Sequence, residues 1–324
     1  MSQPTIEVEH LSKVYGATTA IEDIHFSVAA GEIIGFLGPN GAGKTTTMRI
    51  LSGYLPATAG TAKIAGYDVH RQSMQVRRNI GYLPETPPLY PEMTVRGFLF
   101  FVAKIKGIRA GDRRRQVEHA MARCQLSDRA DILIRKLSKG YRQRVGIAQA
   151  IVHEPPVIIL DEPTVGLDPR QIIEVRNLIK SLAGEHTIIL STHILPEASM
   201  VCDRVTIINQ GKVVTSNTPR DLRAQLESSL GYEVEIGGDV SQIISLLRSV
   251  TGVTQISLVE PAAAQPERHL LKITCAPDTE PGKDLAAIII QQELELYEMR
   301  RTRPSLEDVF LKLTTEESWD ADLA

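Results

Sequence analysis

One stretch near the start of the chain has the residue types and spacing of a phosphate-binding loop. It fits G-x-x-x-x-G-K-[ST] and consists of Gly38, Pro39, Asn40, Gly41, Ala42, Gly43, Lys44 and Thr45. Glycines let backbone N–H groups converge on a phosphate, and the start of a following helix adds partial positive charge. Lys44 can reach the β- and γ-phosphates, and the Thr45 hydroxyl can bind Mg²⁺. The stretch therefore predicts a nucleotide phosphate site, the alternative being a plain Gly-rich turn that caps a helix.

Three further polar residues directly follow predicted buried strands. Asp161 and Glu162 follow the apolar run 157–160, and His193 follows the run 187–192. Open α/β sheets bind ligands beyond the carboxyl ends of their strands, and a phosphate-loop protein needs a carboxylate to hold Mg²⁺. These residues are therefore candidates for metal binding and catalysis, and the alternative for the carboxylates is a turn that happens to be acidic.

The elements around these residues predict an α/β domain. The apolar run 33–37 predicts a buried parallel strand before the loop, and a helix is expected to follow the loop and to end near Gly53. Further predicted elements are strands 5–9, 20–28, 61–67 and 80–85, a mainly helical stretch 94–133, helices 145–152 and 170–183, and a hairpin over 205–214. Ser138 is placed to cap the helix at 145–152 or to lie near its cap.

The pattern changes beyond about residue 230. Strand, helix, strand, strand, helix and strand are predicted in that order between residues 232 and 299, which matches a split βαβ unit of ferredoxin-like type. A short helix over 305–310 carries an acidic capping box, Ser305 and Asp308, and an acidic tail covers 316–324. A small α+β domain is therefore expected after the first domain.

Bulk properties limit the classes of function. The chain has 324 residues, 43% hydrophobic and 23% charged, and a net charge of −3, so no overall electrostatic case exists for nucleic-acid binding. Cys124, Cys202 and Cys275 form no metal-binding spacing and predict buried reduced thiols. No signal peptide is evident, and the longest apolar runs, such as 285–290, are too short to span a bilayer. These properties leave docking on a membrane protein open.

Taken in order, these segments resemble the ATP-binding cassette (ABC) transporter ATPases. Their order is the phosphate loop, Leu-Ser-x-Gly at 137–140, the strand ending in Asp-Glu, Gly-Leu-Asp at 166–168 and Ser-Thr-His at 191–193. The resemblance covers about residues 5–223. The resemblance implies a P-loop NTPase cassette with a mixed sheet core, an antiparallel β subdomain and a helical subdomain, followed by the ferredoxin-like domain. The expected boundaries are 1–228 for the cassette, about 86–152 for its helical subdomain, 229–315 for the accessory domain and 316–324 for the tail.

The resemblance also implies roles for single residues, with ATP and Mg²⁺ as cofactors. Tyr15 would stack on adenine, although its own surroundings fit an ordinary half-buried strand tyrosine equally well. Residues 38–46, including Thr46, would hold the phosphates. Thr45 and Asp161 would bind Mg²⁺, Glu162 would be the general base, and His193 would sense the γ-phosphate. The ATP of a second copy would be contacted by Ser138 and Gly140, with Asp168 on the same interface.

Two positions depart from the family pattern. The usual Leu-Ser-Gly-Gly-Gln appears as Leu137-Ser138-Lys139-Gly140-Tyr141, and Glu85 replaces the usual Gln after the strand that enters the helical region. A carboxylate at position 85 can serve Mg²⁺, but it adds negative charge near the γ-phosphate. Both departures resemble a subfamily of bacterial export cassettes that pair with separate ABC-2 type membrane subunits.

The leading interpretation is a cytoplasmic ATPase subunit, peripheral on the inner face of the cell membrane. It would dimerise head-to-tail around two ATPs and drive an integral membrane permease, as part of an exporter. The first alternative is a non-transport ABC ATPase that acts on nucleic acid or ribosomes, and no nucleic-acid partner is expected here. The second is a regulatory nucleotide-binding module without turnover, against which the Asp161–Glu162 pair argues.

Overall fold

The computed structural model describes residues 4–222, 231–238, 240–259, 268–276 and 279–302. The chain divides into two compact units, Met1–Pro219 and Arg220–Ala324. The predicted domain boundary at residues 228 and 229, the predicted helix at 305–310 and the predicted tail at 316–324 lie outside the described residues.

The first unit contains strands and helices that alternate along the chain. Its strands are β1 (Ile6–Tyr15), β2 (Thr18–Val28), β3 (Ile33–Leu37), β4 (Ala59–Ile64), β5 (Tyr67–Asp68), β6 (Ile80–Leu83), β7 (Val157–Asp161), β8 (Thr187–Thr192), β9 (Arg204–Asn209) and β10 (Lys212–Asn217). Its helices are α1 (Lys44–Leu51), α2 (Ser73–Arg78), α3 (Val95–Ile105), α4 (Arg113–Arg123), α5 (Lys139–Ile151), α6 (Pro169–Ser181) and α7 (Leu195–Val201).

The core sheet of this unit is mixed, as expected. Its strand order is β10-β9-β3-β8-β7-β6, and its pairs are parallel except for β9 with β10. Every residue of β3, β7 and β8 is buried, which explains the continuous apolar segments 33–37, 157–160 and 188–190 within these strands. Leu37 pairs with Thr192 and Asp161 pairs with Ser191, so the carboxyl ends of the three strands meet at one edge.

A second sheet in the first unit is antiparallel and has the order β2-β1-β4-β5. Strand β1 continues to Tyr15, well beyond the predicted 5–9, because irregularities in its pairing with β2 between Val8 and Val14 interrupt the alternation without ending the strand. Helix α3 packs against α4 and α5 as the predicted helical layer. It begins at Thr94, whose hydroxyl accepts a hydrogen bond from the Gly97 N–H at 3.1 Å.

The second unit has the predicted ferredoxin-like arrangement. Its elements are β11 (Gly231–Gly237), α8 (Val240–Arg248), β12 (Val253–Val259), β13 (Arg268–Cys275), α9 (Gly282–Gln291) and β14 (Glu295–Thr302). The strands form one antiparallel sheet in the order β12-β13-β11-β14, with the first and third strands of the unit in its centre. Val234, Leu271 and Leu285 belong to one buried core between the sheet and the helices. Within the described residues, no helix of either unit is both long and apolar enough to cross a membrane.

A partly buried histidine just after α5 makes the stability of the first unit sensitive to acid. Nε2 of His153 lies 3.1 Å from the Ile80 carbonyl oxygen, which also accepts a hydrogen bond from Lys106 Nζ at 2.9 Å, and His153 Nδ1 is buried without a partner. Burial lowers the pKa of His153 to about 3, with a smaller contribution from the charge of Lys106. The folded protein therefore holds this imidazole neutral at pH values where the unfolded chain protonates it.

In the unfolded chain the pKa of His153 is about 6.5. As the pH falls below that value, the unfolded chain binds a proton that the folded protein does not, so the unfolding free energy decreases progressively until the pH reaches the folded pKa. On acidification from about pH 7.5 to about pH 5, we expect the wild type to lose about 2 kcal/mol more unfolding free energy than His153→Gln does. Urea unfolding of both proteins at the two pH values measures this difference. Equal losses in the two proteins would show that His153 does not cause the acid sensitivity.

Candidate active site

The phosphate loop connects the end of β3 to the start of α1 and lies tightly against its neighbours. Gly43, the residue before α1, has φ of 104°, and a Cβ there would lie 2.5 Å from Cγ2 of Ile21. A Cβ on Gly38 would lie 2.3 Å from the Ile208 carbonyl oxygen. Any larger residue at either position would push the loop away from β2 or β9, so these glycines fix its course.

Lys44 points its ammonium back into the loop. The side chain is 6% exposed, and Nζ donates to the carbonyls of Gly38 at 2.7 Å and Pro39 at 3.2 Å. The same Nζ lies 3.4 Å from Oε1 of Glu162. The ammonium is therefore desolvated and positioned over the loop, with one carboxylate and two neutral oxygens around it.

Asp161 is the last residue of β7 and is almost fully buried. Its Oδ1 accepts a hydrogen bond from Ser191 Oγ at 2.5 Å and lies 3.5 Å from Thr45 Oγ1. Burial raises the pKa of Asp161 above its ordinary value, and the hydrogen bonds from Ser191 and Thr45 oppose that rise. A cation bound beside this carboxylate would also favour its ionised form.

Glu162 lies between a lysine and a histidine. Its Oε1 faces Lys44 at 3.4 Å, and its Oε2 lies 3.0 Å from Nδ1 of His193. The backbone has φ of 49°, and the Glu162 N–H donates to Ser191 Oγ at 3.0 Å. Ser191 thus holds both carboxylate residues, a role that we did not predict. In the sequence, Ser191 lies near the end of a predicted buried strand, as Asp161 does. This shared placement is the signal that could have indicated the role of Ser191.

One pocket brings the separately predicted groups together. It is lined by Ala20, by the loop residues Asn40, Gly41, Gly43, Lys44, Thr45 and Thr46, and by Glu85, Glu162, Val165 and His193. Ala42 is buried behind the loop and Pro39 contributes its carbonyl to Lys44. The arrangement can bind a polyphosphate on the loop amides and Lys44, with Glu162 and His193 beside it.

Of the predicted site residues, Gly38, Pro39, Ala42 and Asp161 adjoin the pocket without lining it, and four others lie on different parts of the chain's surface or packing. Tyr15 ends β1 with its side chain 46% exposed, and Lys13 Nζ lies 5.1 Å from the ring centroid. Ser138 is the N-cap of α5 and accepts a hydrogen bond from the Tyr141 N–H at 3.4 Å. Asp168 is the N-cap of α6, and Gly140 lies so close to α6 that a Cβ on it would be 2.6 Å from Gln171 Oε1.

Residues 138–140 and 166–168 therefore lie together where the first turns of α5 and α6 pack, and we name this region the α5–α6 patch. Gly140 is buried in it, against Gln171. Ser138 and Asp168 are exposed there. The predicted roles of Tyr15, Ser138, Gly140 and Asp168 stay predictions.

Tyr141, which replaces the family Gln, is used in packing. Its ring centroid lies 5.3 Å from the Arg129 guanidinium carbon and 5.6 Å from that of Arg144. Arg144 is buried and pairs with Glu174 of α6 and with the Gln125 side chain. Tyr141 thus packs α5 against the segment that follows α4.

The oxygen ligands in the pocket suit Mg²⁺. Thr45 and Asp161 place a hydroxyl and a carboxylate close together, and Glu85 lines the same pocket. Among the described residues, no group of three or more His, Cys, Asp or Glu side chains could hold a metal ion by itself. The set therefore fits an ion that takes its remaining ligands from water and from the substrate phosphates.

Replacing Glu85 tests its predicted part in metal binding. We expect Glu85→Gln to raise the Mg²⁺ concentration for half-maximal ATPase activity by about tenfold, because it removes an anionic oxygen ligand. Titration of Mg²⁺ at fixed ATP measures the change, and Glu92→Gln, an exposed glutamate that does not line the pocket, is the control. A lower KM for ATP with an unchanged Mg²⁺ requirement would show that Glu85 only repels the phosphates.

Comparison with known proteins gives consistent results. The family model described as "ABC transporter" matches residues 21–165. The Nod factor export ATP-binding protein I of Paraburkholderia xenovorans (strain LB400) is 34% identical over 330 residues, covering 99% of this chain and 100% of the relative. The bacitracin transport ATP-binding protein BcrA of Bacillus licheniformis is 33% identical over 310 residues, covering 95% of this chain and 96% of the relative.

A solved structure gives a similar result for the fold. CbiO1 from Clostridium perfringens, described as part of the ABC transporter complex CbiONQ, is 30% identical with a TM-score of 0.64. The match covers 69% of this chain and 92% of that chain.

Proposed function

The chain belongs to the family of ABC transporter ATP-binding proteins and is an ATPase, and on that premise we propose that it drives an ABC-2 type exporter as a head-to-tail homodimer. One observation carries the proposal. The pocket holds the phosphate loop, Glu162 and His193, whereas the α5–α6 patch lies on the same chain and does not line it. In the proposed dimer, the pocket of one copy would be one half of an ATP site. The α5–α6 patch of the other copy would be the half that completes it.

Hydrolysis in this site needs a positioned water and a stabilised phosphoryl group. The loop amides and Lys44 would bind the β- and γ-phosphates, and the carbonyls of Gly38 and Pro39 would release Lys44 to them. Glu162 would accept the proton of the attacking water, and His193 would orient that carboxylate. Mg²⁺ held by Thr45, Asp161 and Glu85 would neutralise charge on the phosphates.

Closure of the dimer would complete the site. Ser138 and Gly140 would bring the N-terminus of α5 to the ATP of the other copy, where backbone N–H groups favour an anion. Asp168 would stand at the same interface. Because each ATP would then contact both copies, hydrolysis would release the contact, and this cycle of closing and opening would drive the permease.

An exposed apolar surface on the helical layer supports a membrane-protein partner. Tyr90 is 52% exposed, Phe101 is 38% exposed and Ile105 is 66% exposed, and the Tyr90 and Phe101 rings meet edge to face at 5.4 Å. Exposed apolar side chains that cluster in this way are typical of protein interfaces. The chain runs from Glu85, which lines the ATP pocket, to Tyr90, so the backbone would connect a permease seated here to that pocket.

Co-purification from detergent-solubilised membranes of the native host tests the proposal. We expect a polytopic membrane protein to copurify with the wild type, and Ile105→Glu to lower its recovery about tenfold, because the carboxylate would be buried in the interface. Ile290→Glu, in the second unit, is the matched control, since Ile290 is 65% exposed. ATPase activity of the isolated chain should not change in either variant. Purely soluble partners would contradict the proposal.

A further inference from the structure

The end of the helical layer where α3 leads into α4 carries a concentration of positive charge. Residues 104–118 contain six Lys or Arg and two Asp or Glu, a net charge of +4, whereas the rest of the chain carries −7 to give the total of −3. We propose that this end of the layer binds the anionic headgroups of phospholipids at a membrane surface. The choice of a membrane rests on the proposed function, which seats a permease on adjoining residues.

Four cations at this end of the layer are exposed, and we name them the basic tip. They are Lys104 in the last turn of α3, Arg109 in the connection, and Arg114 and Arg115 in the first turn of α4. Helices α3 and α4 pack against each other and are joined only by residues 106–112. The four cations therefore lie at the same end of this helix pair.

Two further cations of the segment are used within the fold. Lys106 Nζ donates to the carbonyl oxygens of Arg77 at 3.0 Å and Ile80 at 2.9 Å, and Arg113 Nε donates to that of Ile108 at 2.8 Å. These hydrogen bonds hold the connection between α3 and α4 in place. The basic tip is therefore carried on a connection that is fixed from within.

The charges of the basic tip are only weakly neutralised in the folded chain. Among the ion pairs of the residues that the structure describes, none involves Lys104 or Arg109. Arg114 and Arg115 each pair with a nearby carboxylate, but their side chains are 82% and 76% exposed, so water screens both pairs. A lipid phosphate can replace either carboxylate, because it accepts the same hydrogen bonds.

The arginines at the start of α4 do not favour the helix that they begin. Its first turn has no acidic residue, and the side chain of the N-cap Asp112 accepts no capping hydrogen bond. The helix dipole is positive at this end, so added positive charge lowers the stability of α4. An anion from outside the chain would offset that cost, which gives the run of arginines a role that folding does not.

An exposed aliphatic side chain beside the basic tip favours a lipid surface over a nucleic acid. Ile105, next to Lys104, is 66% exposed, and Phe101, one turn earlier in α3, is 38% exposed. Surfaces that lie on a bilayer combine cations for the headgroups with apolar side chains for the acyl boundary. A sugar-phosphate backbone would bind the cations but offers no apolar partner for Ile105. The negative charge on the rest of the chain would be repelled by the same membrane, so the basic tip would face it.

Co-sedimentation of the full chain with vesicles tests the proposal. The vesicles consist of phosphatidylcholine with about 30 mol% phosphatidylglycerol, and vesicles of phosphatidylcholine alone are the reference. At about 0.1 M salt, we expect the chain to bind the anionic vesicles at least about tenfold more tightly than the reference, and about 0.5 M salt to remove the difference. Equal binding to both kinds of vesicle at low salt would overturn the proposal.

Replacing the basic tip locates the contact. We expect a variant with Lys104→Gln, Arg109→Gln, Arg114→Gln and Arg115→Gln to bind anionic vesicles at least about 30-fold more weakly than the wild type. A matched control removes the same charge from four exposed lysines elsewhere, two of which also pair with a carboxylate, and should stay within about threefold of wild type. The control substitutions are Lys63→Gln, Lys180→Gln, Lys212→Gln and Lys283→Gln. An equal loss in both variants would show that only net charge matters, which would overturn the proposal.

Thermal unfolding separates lipid binding from a structural role of the basic tip. Because Arg114 and Arg115 oppose the helix dipole, the tip variant should unfold at the same or a higher temperature than the wild type. ATPase activity of the isolated chain should not change. A lower unfolding temperature together with weaker vesicle binding would indicate a structural role and would overturn the proposal.

Two other partners are distinguished by the same variants. Single-stranded RNA that binds the wild type more tightly than the anionic vesicles do, and that needs the basic tip, would overturn the proposal. So would a tip variant that loses the membrane protein in detergent but binds vesicles normally, because the cations would then contact the permease. The vesicles contain no permease, so failure of vesicle binding with normal co-purification contradicts only the lipid contact. Failure of co-purification with the wild type contradicts the proposed function.

Discussion

Glu162→Gln is expected to abolish steady-state ATP hydrolysis, lowering kcat at least about 100-fold, while ATP still binds. Glutamine keeps the shape of the side chain. Lys44 and His193 lie 3.4 and 3.0 Å from two different carboxylate oxygens, so the single amide oxygen can accept from Lys44 while the NH2 group faces His193 Nδ1. Glutamine cannot accept the proton of the attacking water. The loss should therefore appear in kcat, because the contacts to bound ATP come from the loop amides and Lys44.

The same variant should accumulate as an ATP-bound dimer, since the step proposed to open the dimer no longer occurs. Size-exclusion chromatography with ATP, and with ADP as comparison, measures this. Glu118→Gln, which removes an exposed carboxylate of α4 that pairs with Arg114, is the control and should hydrolyse ATP normally. Hydrolysis at an unchanged rate in Glu162→Gln would remove Glu162 from the mechanism.

The parts of the site that could be predicted from sequence are those with local causes. The loop needs glycine at Gly38 and Gly43 because β9 and β2 leave no room for a Cβ, and that requirement is visible in the motif. Buried parallel strands are mainly apolar, so the positions of Asp161 and His193 at the carboxyl ends of two such strands are informative in the sequence itself.

The parts that were missed depend on contacts between distant segments. Ser191 supports Asp161 and Glu162 only because β8 pairs with β7, and Lys139 lies on Gly166 only because α5 packs on the start of α6. Helix α5 begins at Lys139, earlier than the predicted 145, because Gln143 and Arg144 are buried polar residues that hide its periodicity. Helix α7 was not predicted at all and has seven residues.

The pair between Lys44 and Glu162 connects nucleotide binding with catalysis. Both side chains are buried, and without phosphates each is the main opposite charge for the other. Burying two charges is costly unless their pairing is good, and 3.4 Å is a loose contact. An incoming γ-phosphate would attract Lys44 and repel Glu162, which would favour contact between the carboxylate and water.

Lys44→Ala is accordingly expected to weaken ATP binding about 100-fold, the equivalent of about 3 kcal/mol, because a charge-assisted contact to two phosphates is lost. The ammonium is already desolvated and positioned by the Gly38 and Pro39 carbonyls, so binding ATP requires little further ordering of this side chain. Hydrolysis should fall below detection at ATP concentrations that saturate the wild type.

Calorimetric titration of ATP into Lys44→Ala, with circular dichroism to verify the fold, measures this loss. Lys63→Ala removes an exposed lysine of β4 that pairs with Glu7, and it should bind ATP like the wild type. AMP, which lacks the phosphates that Lys44 is proposed to contact, should distinguish the two proteins little. An ATP affinity within about threefold of wild type would show that the loop amides alone hold the phosphates, and that the buried ammonium serves chiefly to neutralise Glu162.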